Sequence, residues 1–502
     1  MAGRALILVF LLGVVGCGGD DGEDALEGVT SNGTSAGVTS NGATTGTSGT
    51  SGTTGTSGTT GGGETTAGDP TLTGLTPLPE PIRRTGGDPE AGWLYLSEGG
   101  YVGSGIPYDV FTMFFGESAN LLGRSGDNAT LSPSFNAFTA PNGVRVVGGL
   151  TCFGCHASYL NGGFMPGLGS AFSDFSSQRG GFGLLQGVVE STYGADSPEA
   201  EISAVFTRGA EAVEPYIATP FPGVNPAFRL EEAAAAHRKP DDLTWLDEPQ
   251  YTIAPGSMLA SDVPPLWNVR KKNALYYNGM GRGDLARLIQ QVMVVAIIDS
   301  EQAAEIDTHG ADILAWLESL EPPTWSGPPI DDALAQEGEA VFEAHCASCH
   351  GTYGAEESYP NLLVPLEMVG TDPAYAEFFA LESALTDWYN ASWFAAGSSV
   401  EPKLGYVAPP LDGVWATAPY LHNASVPTLA ALLDSSLRPA AWLRDFSSSA
   451  YDLERVGWPY EETDEEGAYD TTLVGFGNGG HTYGDALTDG ERAALLEYLK
   501  TM

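Results

Sequence analysis

The chain has 502 residues, 42% of them hydrophobic, and carries 64 Asp and Glu against 21 Lys and Arg for a formal net charge of −43. That length suggests about two to three domains with a sizeable core. The charge repels nucleic acid and anionic lipid surfaces, so neither is expected as a partner; it either steers a cationic redox protein or only keeps the chain soluble.

In chain order, Arg4 precedes an apolar run from Ala5 to Val15 that is too short to span a bilayer and reads as a secretory signal, residues 1–16. It ends in Val14-Val15-Gly16-Cys17, which resembles the bacterial lipobox. That resemblance implies cleavage before Cys17 and lipidation of its thiol. The protein is then exported and held by a lipid anchor on a bacterial membrane, facing the periplasm or the cell surface. Residues 17–76 are dominated by Gly, Ser and Thr and bury too little apolar surface to offset chain entropy, so a disordered tether is expected. Such a linker reaches roughly 40 Å.

From residue 77 the composition becomes globular. The Pro-rich stretch Glu321–Pro329 marks a boundary between a domain at 77–325 and a second at 326–502. Strand signals are sparse, so a mainly α fold is expected. Helical periodicity runs from Leu285 to Ile298, over Ala311–Leu317, from Asp332 to Ala344 and over Arg492–Leu499, the last opened by a capping box of Thr488 and Glu491. An internal repeat is also visible. Val263-Pro264-Pro265-Leu266-Trp267-Asn268-Val269 aligns with Ala408-Pro409-Pro410-Leu411-Asp412-Gly413-Val414, and Leu275–Asn278 then falls on Tyr420–Asn423.

The five cysteines all fall in motifs, leaving none for a disulfide framework. Cys17 is the lipobox residue. The others form Cys152-Phe153-Gly154-Cys155-His156 and Cys346-Ala347-Ser348-Cys349-His350. Two thiols one helical turn apart suit thioether bonds to the two vinyl groups of a haem, and the adjacent His supplies the proximal iron ligand. A zinc site is disfavoured because the two pairs lie too far apart in sequence, and a thioredoxin-like dithiol would not need the His. Two haems c are therefore expected, ligated by His156 and His350.

The sixth iron position decides function: a protein ligand closes it for electron transfer, while an open one admits an oxidant. Of the remaining histidines, His237 lies in an Ala-rich charged stretch that reads as exposed. His309 stands at a helix start, and His345 adjoins Cys346 too closely. His422 and His481 remain as candidates.

The segment Ala416-Thr417-Ala418-Pro419-Tyr420-Leu421-His422-Asn423-Ala424-Ser425-Val426-Pro427-Thr428-Leu429 resembles the signature of the bacterial di-haem cytochrome c peroxidase superfamily. The chain is most similar to its rubber-oxygenase-like branch. This rests on Cys349–Tyr353, Val369–Pro373, Gly477–Gly484 and Leu495–Lys500, with weaker similarity from about Gly92 onward. Ala424 departs from the usual Gly.

The resemblance implies two cytochrome c-like domains packed face to face, with the C-terminal haem passing electrons to a catalytic N-terminal one. Ser436 stands where the peroxidases carry a distal Met, and His481 matches a late His of the rubber-oxygenase-like branch, with Met368 as the alternative. Tyr277 occupies the place of the peroxidases' relay Trp, or packs the interface. The peroxidases' distal Gln and catalytic Glu fall at Leu288 and near Ile298. Gln290, Gln291 and Asp299 are nearby but out of register. Met293 is a sixth ligand, a pocket residue or core. The backbone carbonyls of Thr417 and Pro419 match ligands of an interdomain calcium ion.

Two functions stay open, beside a non-catalytic surface binding or sensory protein that no sequence feature specifically favours. One is an oxidoreductase activating hydrogen peroxide or dioxygen, served by a redox partner protein. The other is a non-catalytic di-haem electron carrier.

Overall fold

The computed structural model describes residues 74–176, 181–253, 259, 261–381 and 383–502. The signal segment, Cys17 and all but the end of the tether lie outside the described residues.

The helix Asp332–His345 starts where the Asp331 carboxylate accepts from the backbone N–H groups of Ala333 and Leu334. It leads directly into the second Cys-x-x-Cys-His. The C-terminal helix Asp489–Leu499 opens with the expected capping box, Thr488 and Glu491 satisfying each other's backbone N–H groups. These two helices pack so closely that a Cβ at Gly338 would sit 1.9 Å from the Ala494 carbonyl oxygen; only glycine fits there. Phe342 and Tyr498 fill the contact beside it.

The Ala311–Leu317 periodicity becomes the helix Gly310–Ser319, which packs on Pro89–Glu98. The expected helix from Leu285 to Ile298 does not run its full length. It is α-helical over Leu285–Ile289 and tightens to a 3₁₀ segment over Gln290–Val295. The β-branched run Val292, Val294, Val295 disfavours the α form. Gln290 and Gln291 also spend their amides on other elements, bonding Asp307 and Glu231.

The secondary structure is mixed, about 39% helix and 13% strand, rather than mainly α. The strands are short and scattered over small antiparallel sheets. The longest pairing, Phe135–Thr139 with Arg145–Gly149, precedes the first Cys-x-x-Cys-His. The hairpin Ala157–Leu160 with Gly163–Pro166 follows it. Such strands carry too few residues for an alternating pattern to stand out.

Residues 74–502 belong to one compact unit. Its two largest cores each draw on both sides of residue 325. The first joins Phe153, Phe206 and Val294 with Tyr375, Trp388 and Phe394. The second joins Leu160, Leu168 and Trp267 with Phe342, Trp415 and Leu495.

Candidate functional site

Cys152–Cys155 forms a single helical turn capped by His156, whose N–H donates to the Cys152 carbonyl. The Cys152 N–H donates to the Tyr101 hydroxyl at 2.9 Å. The Nδ1 of His156 lies 3.1 Å from the Pro264 carbonyl oxygen. A carbonyl only accepts, so Nδ1 carries the proton and Nε2 presents its lone pair. Burial lowers this imidazole's pKa to about 4, keeping it neutral. The hairpin behind it fixes the arrangement: Gly167 N–H donates to the His156 carbonyl and Leu266 N–H to the Gly167 carbonyl, both at 2.8 Å.

The second motif repeats this plan with different braces. His350 Nδ1 lies 2.9 Å from the Pro409 carbonyl oxygen. Tyr353 donates its hydroxyl proton to the His350 carbonyl at 3.1 Å and accepts from Leu411 N–H at 2.6 Å. Tyr359 donates to the Ala408 carbonyl. Pro264 and Pro409 are the aligned residues of the internal repeat, so the repeat is the pair of loops that orient the two imidazoles. The loops are also tied to each other. Trp267 Nε1 donates to the Asp412 carbonyl at 2.8 Å, Asn268 Nδ2 donates to the Pro410 carbonyl at 3.1 Å, and Lys271 pairs with the Asp412 carboxylate at 2.7 Å.

All four motif cysteines are thiols rather than disulfides. Thiols one turn apart beside a neutral imidazole with its second nitrogen available fit a covalently attached haem at each motif.

His481 stands opposite His350, with ring centres 6.2 Å apart and planes inclined at 65°. Two imidazole nitrogens each about 2 Å from one metal set their ring centres roughly 6 Å apart, so this pair fits one iron between them. The backbone of His481 has φ of +47°, a strained value for a non-glycine residue. Several bonds impose it. His481 N–H donates to the Val369 carbonyl at 2.6 Å. Arg438 donates to the carbonyls of Asn478, Gly480 and His481. The Asp372 carboxylate accepts from Gly475 and Gly477 N–H at 3.1 and 3.0 Å. Gly480 lies so close that a Cβ there would meet Gly370 carbonyl carbon at 2.1 Å. Burial first, then the charges of His350 and Arg438, lower the His481 pKa to about 3. Met368 has its terminal methyl near Gly74 and its carbonyl bonded by the Tyr483 hydroxyl.

His422 belongs to a different cluster. Its ring stacks on Tyr406 at 4.0 Å, with Tyr375 at 6.2 Å and Tyr277 at 6.3 Å. It is buried, its Nε2 has no partner among the described residues, and burial lowers its pKa to about 3. Tyr277 donates to the Asp262 carboxylate at 2.9 Å. Burial raises Asp262 to about 8. The Asp262 N–H in turn donates to the His422 carbonyl at 2.9 Å. Sequence reasoning passed over Asp262 because nothing in its spacing relates it to Tyr277.

The other imidazoles are placed elsewhere. His237 is half-buried and stacked on Trp245, not exposed as expected, because the charged helix Ala227–Ala236 before it is buried. Arg229 and Glu232 pair there at 2.5 Å. His309 stacks on Tyr95 at 3.7 Å. His345 ends its helix. Met293 is buried in the first core. Neighbouring Gln291 bonds the buried Glu231 carboxylate, which the linear register of Leu288 and Ile298 did not reveal.

Among the described residues no group of three His, Cys, Asp or Glu is arranged to hold a metal ion. Pro419 lines a small cavity together with the buried cation of Arg444. Thr417 turns its hydroxyl to the Val414 carbonyl.

Two sequence families match this part of the chain. Residues 405–443, which include Pro409 and His422, match the family described as RoxA-like, cytochrome c-like. Residues 333–382, which include the second Cys-x-x-Cys-His, match cytochrome C oxidase, cbb3-type, subunit III. The chain is also similar to two proteins of Sinorhizobium fredii (strain NBRC 101917 / NGR234), both described as uncharacterized. It is 28% identical to y4iJ over 343 residues, covering 51% of this chain and 57% of that protein. It is 28% identical to y4iM over 326 residues, covering 54% and 71%. The match thus spans little more than half the length of y4iJ. The cytochrome c-like matches support a c-type cytochrome family and a haem c electron-transfer protein.

Proposed function

We propose that the protein is an exported di-haem c-type oxidoreductase that reacts with peroxide or dioxygen at the N-terminal haem, with electrons passed through the C-terminal haem. The observation carrying this reading is an asymmetry. His350 faces a second imidazole, His481, while among the described residues no imidazole ring is paired with His156: His237 stacks on Trp245, His309 on Tyr95 and His422 on Tyr406. A bis-imidazole iron is closed and suited to electron transfer; an iron with one strong ligand retains a position for an oxidant.

The chain's own residues do the rest. Pro264 and Pro409 hold the proximal imidazoles in the tautomer that ligates. The ties from Trp267 and Asn268 to the second loop fix the two centres relative to each other. Tyr277 is the relay candidate: its hydroxyl proton has a half-buried acceptor in Asp262, and aromatic rings continue from it through His422 to Tyr406 and Tyr375. The apolar wall around Met293 favours a small neutral oxidant or apolar substrate over a charged one.

The lipid anchor at Cys17 and a cationic redox partner complete the proposal. The alternative is a pure carrier in which Met293 closes the first site. Electronic absorption and low-temperature EPR of the oxidised protein, with and without cyanide, test the choice. The proposal expects one high-spin haem that responds to cyanide. Two low-spin haems indifferent to cyanide in the oxidised state, and to carbon monoxide in the reduced state, would replace it with the carrier reading.

A further inference from the structure

Arg444 is 5% exposed, and its Nε, Nη1 and Nη2 are all buried without a hydrogen-bond acceptor. Its guanidinium lies within an aromatic cage, 3.7 Å from the ring centre of Trp458, 4.2 Å from Phe172 and 4.7 Å from Phe446. Cation–π contacts of this kind stabilise the charge but satisfy none of the five N–H donors. A buried charged donor without an acceptor is more costly than that compensation.

The obvious internal partners are turned away. The adjacent Asp445 carboxylate accepts from Ser447 N–H and hydroxyl at 2.9 and 2.7 Å. Tyr451 donates to the Trp415 carbonyl and Tyr469 to the Asn423 carbonyl.

Arg444 lines a cavity with Ala171, Gly223, Pro419 and Ala424. Two further buried hydroxyls without partners, those of Ser425 and Ser173, belong to segments that border it. Ser425 follows Ala424 in sequence, and the Ser173 carbonyl accepts from Gly223 N–H. The cavity is also close to the first Cys-x-x-Cys-His. Ser170, next to Ala171, donates its N–H to the Cys155 carbonyl at 2.8 Å, and Asn225, two residues after Gly223, lies 3.4 Å from the Cys155 sulfur.

We propose that Arg444 anchors a binding site for one carboxylate-sized anion, contributed either by a propionate of the haem attached at Cys152 and Cys155 or by a free small anion. A guanidinium presents parallel N–H groups that match a carboxylate, and the apolar cage strengthens the contact by excluding water.

The test uses the full-length, haem-loaded protein and its Arg444→Gln and Arg444→Lys variants. Midpoint potentials of both haems and the thermal midpoint are measured over a titration of sodium formate or chloride at constant ionic strength. A propionate partner predicts that Arg444→Gln lowers the potential of one haem only, with no saturable anion response in the wild type. A free anion predicts saturable stabilisation of the wild type, weakened at least about tenfold in Arg444→Gln, with both potentials unchanged. Either outcome supports the site. Unchanged potentials together with no saturable anion response in any of the three proteins would overturn it. If Arg444→Gln does not fold, Arg444→Lys carries the same comparison, because its point charge cannot reproduce the bidentate geometry.

Discussion

His350 and Pro409 are joined by a 2.9 Å contact between the imidazole Nδ1 and the prolyl carbonyl oxygen, and the same bond joins His156 to Pro264. Proline suits this role because it has no N–H to compete and its fixed φ holds the carbonyl in place. The two loops are therefore the orienting supports of two equivalent imidazoles, and they differ in how each is braced.

Tyr353 is the brace at the second site. Tyr353→Phe removes the bonds to the His350 carbonyl and Leu411 N–H, which is expected to cost about 1–3 kcal/mol. Thermal or chemical unfolding of the haem-loaded variant measures the loss, and the spectrum of the first haem should be unaltered.

His481→Ala is expected to convert the second haem from low to high spin and let it bind carbon monoxide when reduced. Retention of a low-spin second haem in this variant would redirect attention to Met368, whose carbonyl is bonded by Tyr483 in the same region.

Asp372→Ala tests whether the strained backbone of His481 is held by its loop. Losing the bonds to Gly475 and Gly477 N–H should cost about 1–3 kcal/mol and make the second haem partly reactive toward carbon monoxide. Carbon monoxide association followed by flash photolysis would report the open fraction.

Glu231 gives a pH-dependent stability. Burial raises its pKa to about 7, against an ordinary 4.5, with only the Gln291 amide opposing the shift. Tyr276, Tyr375 and Tyr389 face it and stay neutral over this range. Because the folded state binds the proton more tightly, its contribution is most favourable below pH 4.5 and is lost as pH rises through about 7. The loss amounts to at most about 3 kcal/mol. Glu231→Gln should be more stable than the wild type at pH 8, with the difference shrinking toward pH 5. Parallel pH profiles for the two proteins would count against this assignment.

Tyr277→Phe keeps the aromatic contact with His422 but removes the proton donor to Asp262. Slower electron equilibration between the haems, seen by stopped-flow reduction with unchanged midpoint potentials, is the expected result. An unchanged rate would assign Tyr277 to packing.

The chemistry-bearing motifs were legible in the sequence because they are local. Cys-x-x-Cys-His needs only one helical turn to place two thiols and an imidazole together, and the capping box at Thr488 and Glu491 closes within a single turn. The repeat of Pro264-Pro265 in Pro409-Pro410 was also visible, although its purpose was not, since each imidazole lies more than 50 residues from the carbonyl that orients it. The family resemblance pointed to His481 as the late histidine of the second motif, but only the tertiary structure set its ring opposite His350, placed His422 among tyrosines, and brought the half-buried Asp262 and the buried Glu231 beside Tyr277 and Gln291. It also placed Arg444, an unremarkable residue in the linear chain, as a buried cation beside Pro419. Those relationships join segments far apart in sequence, where burial and packing of whole elements, rather than periodicity or spacing, determine which side chains meet.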